Sequence, residues 1–249
     1  MKLPINLKPK FEYNLIRIGS KHDGGYLIEK NSLLESKFLF SFGISTNWDF
    51  EKDFLKINNI NFLAFDGSIN NHFWNSEKKK ALTKLKRLSV SRYINFYILK
   101  WSFHKFFNRK NFISKFISTK LSNSITFNEA LSLNTENKIF FKIDIEGSEY
   151  EFLNDIIYHQ DKIIGIVIEF HECQKFINNI INFVNDFSLE IVHIHANNYD
   201  YNAISEIPKT LELTFAKNPK ALGSFKSLPH ILDSPNRAKS PEINLTFDE

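Results

Sequence analysis

Short apolar runs alternate along this chain with segments whose apolar residues recur every three or four positions, the pattern of strands alternating with helices. Lys37-Phe38-Leu39-Phe40-Ser41-Phe42 predicts a strand that runs into the small-residue loop Gly43-Ile44-Ser45-Thr46-Asn47. A helix is expected from about Asn47 or Trp48, with Thr46 as its N-cap and Phe50, Phe54 and Ile57 at helical spacing. Ile60-Asn61-Phe62-Leu63-Ala64-Phe65 predicts the next strand, ending at Asp66-Gly67. Residues 70–90 are polar, basic and helix-like, and Tyr93 to Trp101 reads as a strand. Residues 102–122, basic and aromatic without clean punctuation, predict an insertion or lid, and Ser124 to Leu131 a short helix start. The apolar run Ile139-Phe140-Phe141-Lys142-Ile143 then breaks at Asp144-Ile145-Glu146-Gly147. Ser148 and Glu151 have the spacing of a capping box, so a helix is expected from Glu149, with Phe152, Leu153, Ile156 and Ile157 on one face.

The second half continues the alternation. Ile163 to Glu172 is a β-branched strand, and 173–186 a helix with Phe176, Ile177, Ile180, Ile181 and Val184 on one side. Glu190 to Tyr199 and Thr210 to Phe215 alternate as strands. At the other end, residues 1–20 read as an irregular lead, and Asp23-Gly24-Gly25 is a turn before the short strand Tyr26-Leu27-Ile28. Pro219, Pro229, Pro235 and Pro241 mark 219–249 as an extended wrap. The sum is an α/β fold in one domain, 1–249, with a doubly wound, mostly parallel sheet and one antiparallel strand near the C-terminus.

Composition adjusts this picture little. A net charge of +4 is mild, but the basic excess is local, in Lys78 to Arg87 and Lys100 to Lys120, which leaves acidic substrates or a membrane surface open. Basic residues interleaved with aromatics also suit nucleic acid, yet no RNP-type or helix-turn-helix pattern accompanies them, so no nucleic-acid partner is expected. A lone cysteine, Cys173, excludes an internal disulfide and a Cys-based zinc site. Lys2-Leu3-Pro4 is not followed by the apolar region of a secretory signal, and no apolar run approaches the roughly 20 residues of a membrane span, so the expected location is the cytoplasm.

Candidate chemistry sits at strand ends. Asp144 and Glu146 close one strand at the edge where open α/β sheets bind ligands, although acids before a helix also suit a solvated turn. Asp66 lies roughly 20 residues beyond the Gly43 loop, the distance at which a second-strand carboxylate meets a ribose. The loop lacks the further glycines of a diphosphate cradle, which disfavours a dehydrogenase and suits a ribose-bearing ligand without phosphate, such as S-adenosylmethionine. Glu169 and His171 end the next strand, and His193 and His195 a later one.

Lys142-Ile143-Asp144-Ile145-Glu146-Gly147-Ser148-Glu149 resembles the signature of the FkbM-type methyltransferases, which use S-adenosylmethionine. Asp23-Gly24-Gly25-Tyr26, Ser41-Phe42-Gly43-Ile44, Trp48-Asp49-Phe50-Glu51, His193 to Tyr199, Leu211 to Phe215 and Leu232 to Asn236 are similar to a branch of that family, in the same order. The resemblance implies a class I methyltransferase, Rossmann-like fold. It implies cofactor contacts from Asp23, Gly24, Gly25, Tyr26, Ser41, Gly43, Thr46, Asn47, Asp66 and Asp144, and a catalytic set of Asp144, Glu169, His171 and His195, with His195 or His171 as general base. It implies O-methyl transfer to a hydroxyl of a small-molecule, nucleotide-linked or lipid-linked sugar in surface polysaccharide biosynthesis. A non-sugar acceptor, and a non-catalytic module of the same fold with an anionic partner, stay open. Some sugar methyltransferases use a divalent metal; one is not favoured here, though Asp144, Glu169 and His195 could make an oxygen- and nitrogen-rich site if they converge.

Overall fold

Seven strands form one sheet in the computed structural model, which describes residues 1–85, 90–199 and 206–248. In chain order they are β1 (Phe38–Phe42), β2 (Asn61–Phe65), β3 (Phe112–Ile113), β4 (Ile139–Ile143), β5 (Ile163–Phe170), β6 (Glu190–Ala196) and β7 (Leu211–Ala216). Across the sheet they lie in the order β3-β2-β1-β4-β5-β7-β6. Strand β7 runs antiparallel to both β5 and β6, and the other pairs are parallel. The fold is therefore the Rossmann-like, mostly parallel α/β sheet with one antiparallel strand near its end. The strand order reverses between β1 and β4, and such a switch point opens a crevice at the carboxyl ends of the strands.

Among the described residues, seven helices accompany the sheet: α1 (Lys30–Glu35), α2 (Asp49–Ile57), α3 (Asn71–Leu85), α4 (Val90–Phe106), α5 (Phe127–Ser132), α6 (Leu153–Tyr158) and α7 (Cys173–Asp186). Side chains alternate across a strand. Phe38, Phe40 and Phe42 of β1 therefore join Phe141, Phe127 and Phe152 in a core on one face. Leu39 meets Phe140, Phe50 and Phe54 on the other. Both faces of the central strands are buried, which is why they read as nearly continuous apolar runs. A third cluster, with Trp48, Trp74, Phe96, Phe103 and Phe107, fastens α3 and α4 to the β2 side.

Several expectations are corrected. Tyr93 to Trp101 is part of helix α4, not a strand. Apolar residues occupy nearly every position there, so periodicity cannot separate the two, and packing of Phe96 and Phe103 on Trp74 decides for a helix. Residues 102–122, the stretch expected as an insertion or lid, end α4 and supply β3, the edge strand. The Lys86-Arg87 part of the expected basic helix lies outside the described residues. Thr46 does not cap α2, whose first N–H, that of Asp49, is met by the Asn47 side chain. Ser148 makes no capping bond, because Glu151 accepts instead from Ser118 and Thr119. A single 3₁₀ turn, Glu149–Glu151, precedes α6. The true capping box is Thr126 with Glu129, at α5. The lead is not irregular either. Lys2–Leu3 pairs with Thr246–Phe247, Phe11–Glu12 with Gly223–Ser224, and Leu15–Gly19 forms a hairpin with Gly25–Glu29 around the expected Asp-Gly-Gly turn. Two of these three partners lie more than 200 residues away in sequence, beyond the reach of local pattern.

Candidate functional site

The carboxyl edge of the sheet brings together residues from the hairpin and from β1, β4 and β5. The turn after β1 is the first constraint. Gly43 has φ +80°, and a side chain there would lie 1.6 Å from the Asp144 carbonyl oxygen. Only glycine lets the chain leave β1 this close to the end of β4. Its N–H donates to the Phe65 carbonyl at the end of β2, so the turn is fixed from both sides. Asn47, farther along the loop, donates to the Asp23 carbonyl at 3.2 Å and so ties the hairpin turn to the β1 loop. Gly24 sits against that Asn47 amide, and the Gly25 position is closed by the Ser20 carbonyl.

A buried polar chain runs behind this turn. Ser41 and Lys142 are register partners on β1 and β4. Ser41 donates to Glu51 of α2, and the Lys142 ammonium donates to the Gly43 carbonyl and, at 3.3 Å, to Asp144 Oδ2. The buried Tyr26 hydroxyl lies 3.1 Å from Asp144 Oδ2 and 2.8 Å from Glu169 Oε2 and donates to this pair of carboxylates. Asn197, just past β6, donates to the other Glu169 oxygen at 2.9 Å. Burial, then Asp144 and Glu212 nearby, hold the Glu169 carboxyl well above the ordinary range. Burial disfavours the Lys142 charge, but Asp144, Glu51 and Glu169 outweigh it and raise that group. Burial and the Asp144 and Glu169 charges likewise raise the Tyr26 phenol, so it stays a donor.

The segment 145–149 folds around one carboxylate. Glu146 and Gly147 both take positive φ, and the fully buried Glu149 accepts from the Gly147 N–H at 3.1 Å and from His171 Nδ1 at 2.8 Å. Because a carboxylate only accepts, Nδ1 carries a proton in this bond. The other ring nitrogen, Nε2, faces outward to Asp144 at 3.9 Å, Glu169 at 3.9 Å and the exposed Glu146 at 3.6 Å. Burial lowers the imidazole, yet Glu149, Glu169 and Asp144 prevail and raise it to about 9.

His195 is placed differently. Its Nδ1 lies 3.0 Å from Glu212 and its Nε2 3.1 Å from Glu242, so both nitrogens donate and the ring is an imidazolium. A ring with both nitrogens engaged has no lone pair for a substrate proton. The expected general-base role of His195 therefore lacks a free nitrogen, whereas the carboxylate oxygens nearest His171 Nε2 stand 3.6–3.9 Å away, beyond hydrogen-bond distance. His193 pairs with Asp233 at 3.1 Å.

Asp66 is also committed. Its Oδ2 accepts from the Ile44 and Ser45 N–H groups at 2.9 and 2.6 Å, and its Oδ1 from the Ser68 N–H and hydroxyl at 2.8 and 2.5 Å. Four bonds fill a carboxylate's four lone-pair directions, so Asp66 knits the β1 and β2 loops together, and a ribose would have to displace one of them. Ser41 is fully buried and faces Glu51. Thr46 is exposed at the mouth of a groove of about 870 Å³ formed with α3 and α4.

One group of potential metal ligands comes together among the described residues. Asp144, Glu169 and His171 each offer an atom within 4.8 Å of the others. His171, not the expected His195, completes this set. A mixed carboxylate and imidazole donor set suits a divalent cation, and the Glu149 bond to Nδ1 is the outer contact that orients such a histidine. Lys142, Glu51, Glu149 and Asn197 were missed by the sequence reading. Lys142 had a visible signal, a charge inside a strand apolar on both faces.

No protein-family model matches the chain, and no curated protein does. Among solved structures, it is similar to precorrin-6y C5,15-methyltransferase from Geobacter metallireducens GS-15, with 12% identity over 75% of this chain and 85% of that one and a TM-score of 0.37. It is also similar to the delta-N METTL16 methyltransferase domain, with 10% identity over 73% of this chain and 74% of that one and a TM-score of 0.37. At that level of similarity neither bears on what this chain does.

Proposed function

We propose that the chain is an S-adenosylmethionine-dependent methyltransferase that acts on a hydroxyl oxygen, with a sugar as the acceptor class. The observation that carries this reading is the anionic rim at the switch point of the sheet, where Tyr26, Asp144, Glu169 and His171 converge beside the Gly43 turn. The cofactor supplies a methyl group on a cationic sulfur, and the carboxylates at this rim suit a cation. A methyl acceptor loses a proton from its oxygen, and His171 Nε2 is the ring nitrogen free to take it. The cofactor-free imidazole is held protonated near neutral pH by the same carboxylates. His171 Nε2 would serve as a base only in the neutral ring, which a cation held among these carboxylates would favour by offsetting their charge. The sugar acceptor rests on the resemblance alone.

Titration calorimetry with S-adenosylmethionine tests the reading. Binding is expected at micromolar to submillimolar cofactor, weakened at least about tenfold in Asp144→Asn, which removes a full charge from the rim. No heat at millimolar cofactor, or an unchanged affinity in the variant, sinks it.

A further inference from the structure

Helix α4 is apolar on both faces, yet it lies on the outside of the fold. Its inner face packs Phe96 and Phe103 on Trp74 of α3. Its outer face presents Val90, Ile94, Tyr97, Ile98 and Trp101, all exposed, with Ile98 at 57% and Trp101 at 65%. Steps of three and four residues align these five in one stripe. A contiguous exposed apolar stripe on a surface helix marks a contact surface.

Charge identifies the contact. Residues 78–128 contain 13 Lys and Arg and no Asp or Glu, leaving 19 Lys and Arg against all 28 acids elsewhere. Lys78, Lys79, Arg92, Lys105, Arg109 and Lys110 are exposed. Lys105 holds its ammonium 4.9 Å from the centre of the Trp101 ring, at the end of the stripe. We infer that the outer face of α4 docks on the surface of an anionic lipid bilayer, with the helix lying in the headgroup plane. Apolar residues on one side and lysines beside them are what such an interfacial helix needs, and Trp belongs at that depth. The helix of 17 residues is about 25 Å long, too short to span, and no described helix is long and apolar enough to cross a membrane.

Other occupants fit less well. A second copy meeting this face symmetrically would set two segments of net basic charge against each other. Nucleic acid would use the lysines and the aromatic rings, but Val90, Ile94 and Ile98 have nothing to offer a phosphate backbone. The groove between α3 and α4, lined by Lys79, Lys80, Arg92 and Phe96, reaches Thr46 in the loop after β1. The inference does not depend on methyl transfer.

Co-sedimentation of the full chain with vesicles of phosphatidylcholine alone, and of phosphatidylcholine with an equal part of phosphatidylglycerol, tests it. Binding is expected only to the second and falls as salt is raised. Tryptophan emission should shift to the blue on binding, because Trp48 and Trp74 are buried and Trp101 is exposed. The double substitution Ile98→Ser with Trp101→Ser should weaken co-sedimentation by about tenfold or more while the circular-dichroism melt holds. The separate variant Ile94→Ser should weaken it in the same direction. Absence of binding to the anionic vesicles, or undiminished binding by the double variant, overturns the proposal. So does a concentration-dependent blue shift without lipid, which would mean a second copy covers the stripe, or RNA binding lost in the double variant with no vesicle binding.

Discussion

Gly43 is the residue on which the candidate site turns. Its φ of +80° and the Asp144 carbonyl 1.6 Å from where a side chain would start leave no room for alanine without moving the end of β4. The Gly43→Ala change should therefore cost about 3 kcal/mol or more, from left-handed strain and displacement of a packed backbone. Urea unfolding would read it, and a loss under about 0.5 kcal/mol would mean the turn can relax. Gly43, Asp66, Asp144 and Glu169 could be picked out in the sequence because each interrupts or ends an apolar run. Glu149 could not: its role depends on a histidine 22 residues away, and nothing local distinguishes it from Glu146, which is exposed. Tyr26 was found through its neighbours Asp23, Gly24 and Gly25, whereas its hydroxyl contacts with β4 and β5 could be read only from the fold.

Among the elements, six of the seven sheet strands were legible, whereas short β3 and the helical nature of Tyr93 to Trp101 were not, and neither was strand environment. The alternation in Glu190 to Ala196 marks β6, but not that β7 inserts between β6 and β5, since pairing order is a long-range property. That insertion sets Glu212 opposite His195, and the tail adds Glu242 on the other side. The two carboxylates overcome burial and raise His195 well above its ordinary value. A histidine raised on folding contributes stability that is fully present below its unfolded value, about 6.5, and is lost as pH rises through the folded one. His195→Gln should therefore be less stable than the parent by roughly 3 kcal/mol at about pH 6, the cost of leaving buried carboxylates without their cation. The gap should narrow as pH rises above neutral, because the parent then loses the same charge. Chemical denaturation across the alkaline range would measure this, and a gap of constant size would refute the ion-pair account. Helix α4 illustrates the opposite limit. Its composition hid its period, and only contact with α3 made it a helix.

At the scale of the whole molecule, the two ends of the chain close the fold on each other. The Met1 amino group donates to the Asn244 carbonyl at 2.8 Å, and Lys2–Leu3 runs beside Thr246–Phe247. Between these contacts the tail delivers side chains into the sheet's buried polar edge. Asp233 meets His193, Asn236 donates to Glu212 at 2.6 Å, and Glu242 meets His195. The prolines predicted an extended wrap, and the tail supplies counter-groups for charges on β6 and β7. Removing residues 229–249 takes Asp233 from His193, Glu242 from His195 and Asn236 from Glu212, leaving the His195–Glu212 pair alone, at roughly 3–5 kcal/mol for each buried ion pair broken. That loss is comparable to the whole stability of an ordinary domain, so the truncated chain should not unfold cooperatively near the parent's melting temperature. The milder change Asn236→Ala, which withdraws one donor from buried Glu212, should cost about 1–3 kcal/mol and leave a folded protein. Limited proteolysis separates a docked tail from a loose one. In Asn236→Ala, cleavage should quicken in the tail and also near Lys2, because the first strand loses its neighbour when the tail lifts. Cleavage confined to the tail would show that the N-terminal strand is held by other contacts, and a truncated chain that melts like the parent would show that the tail is no structural part of the fold.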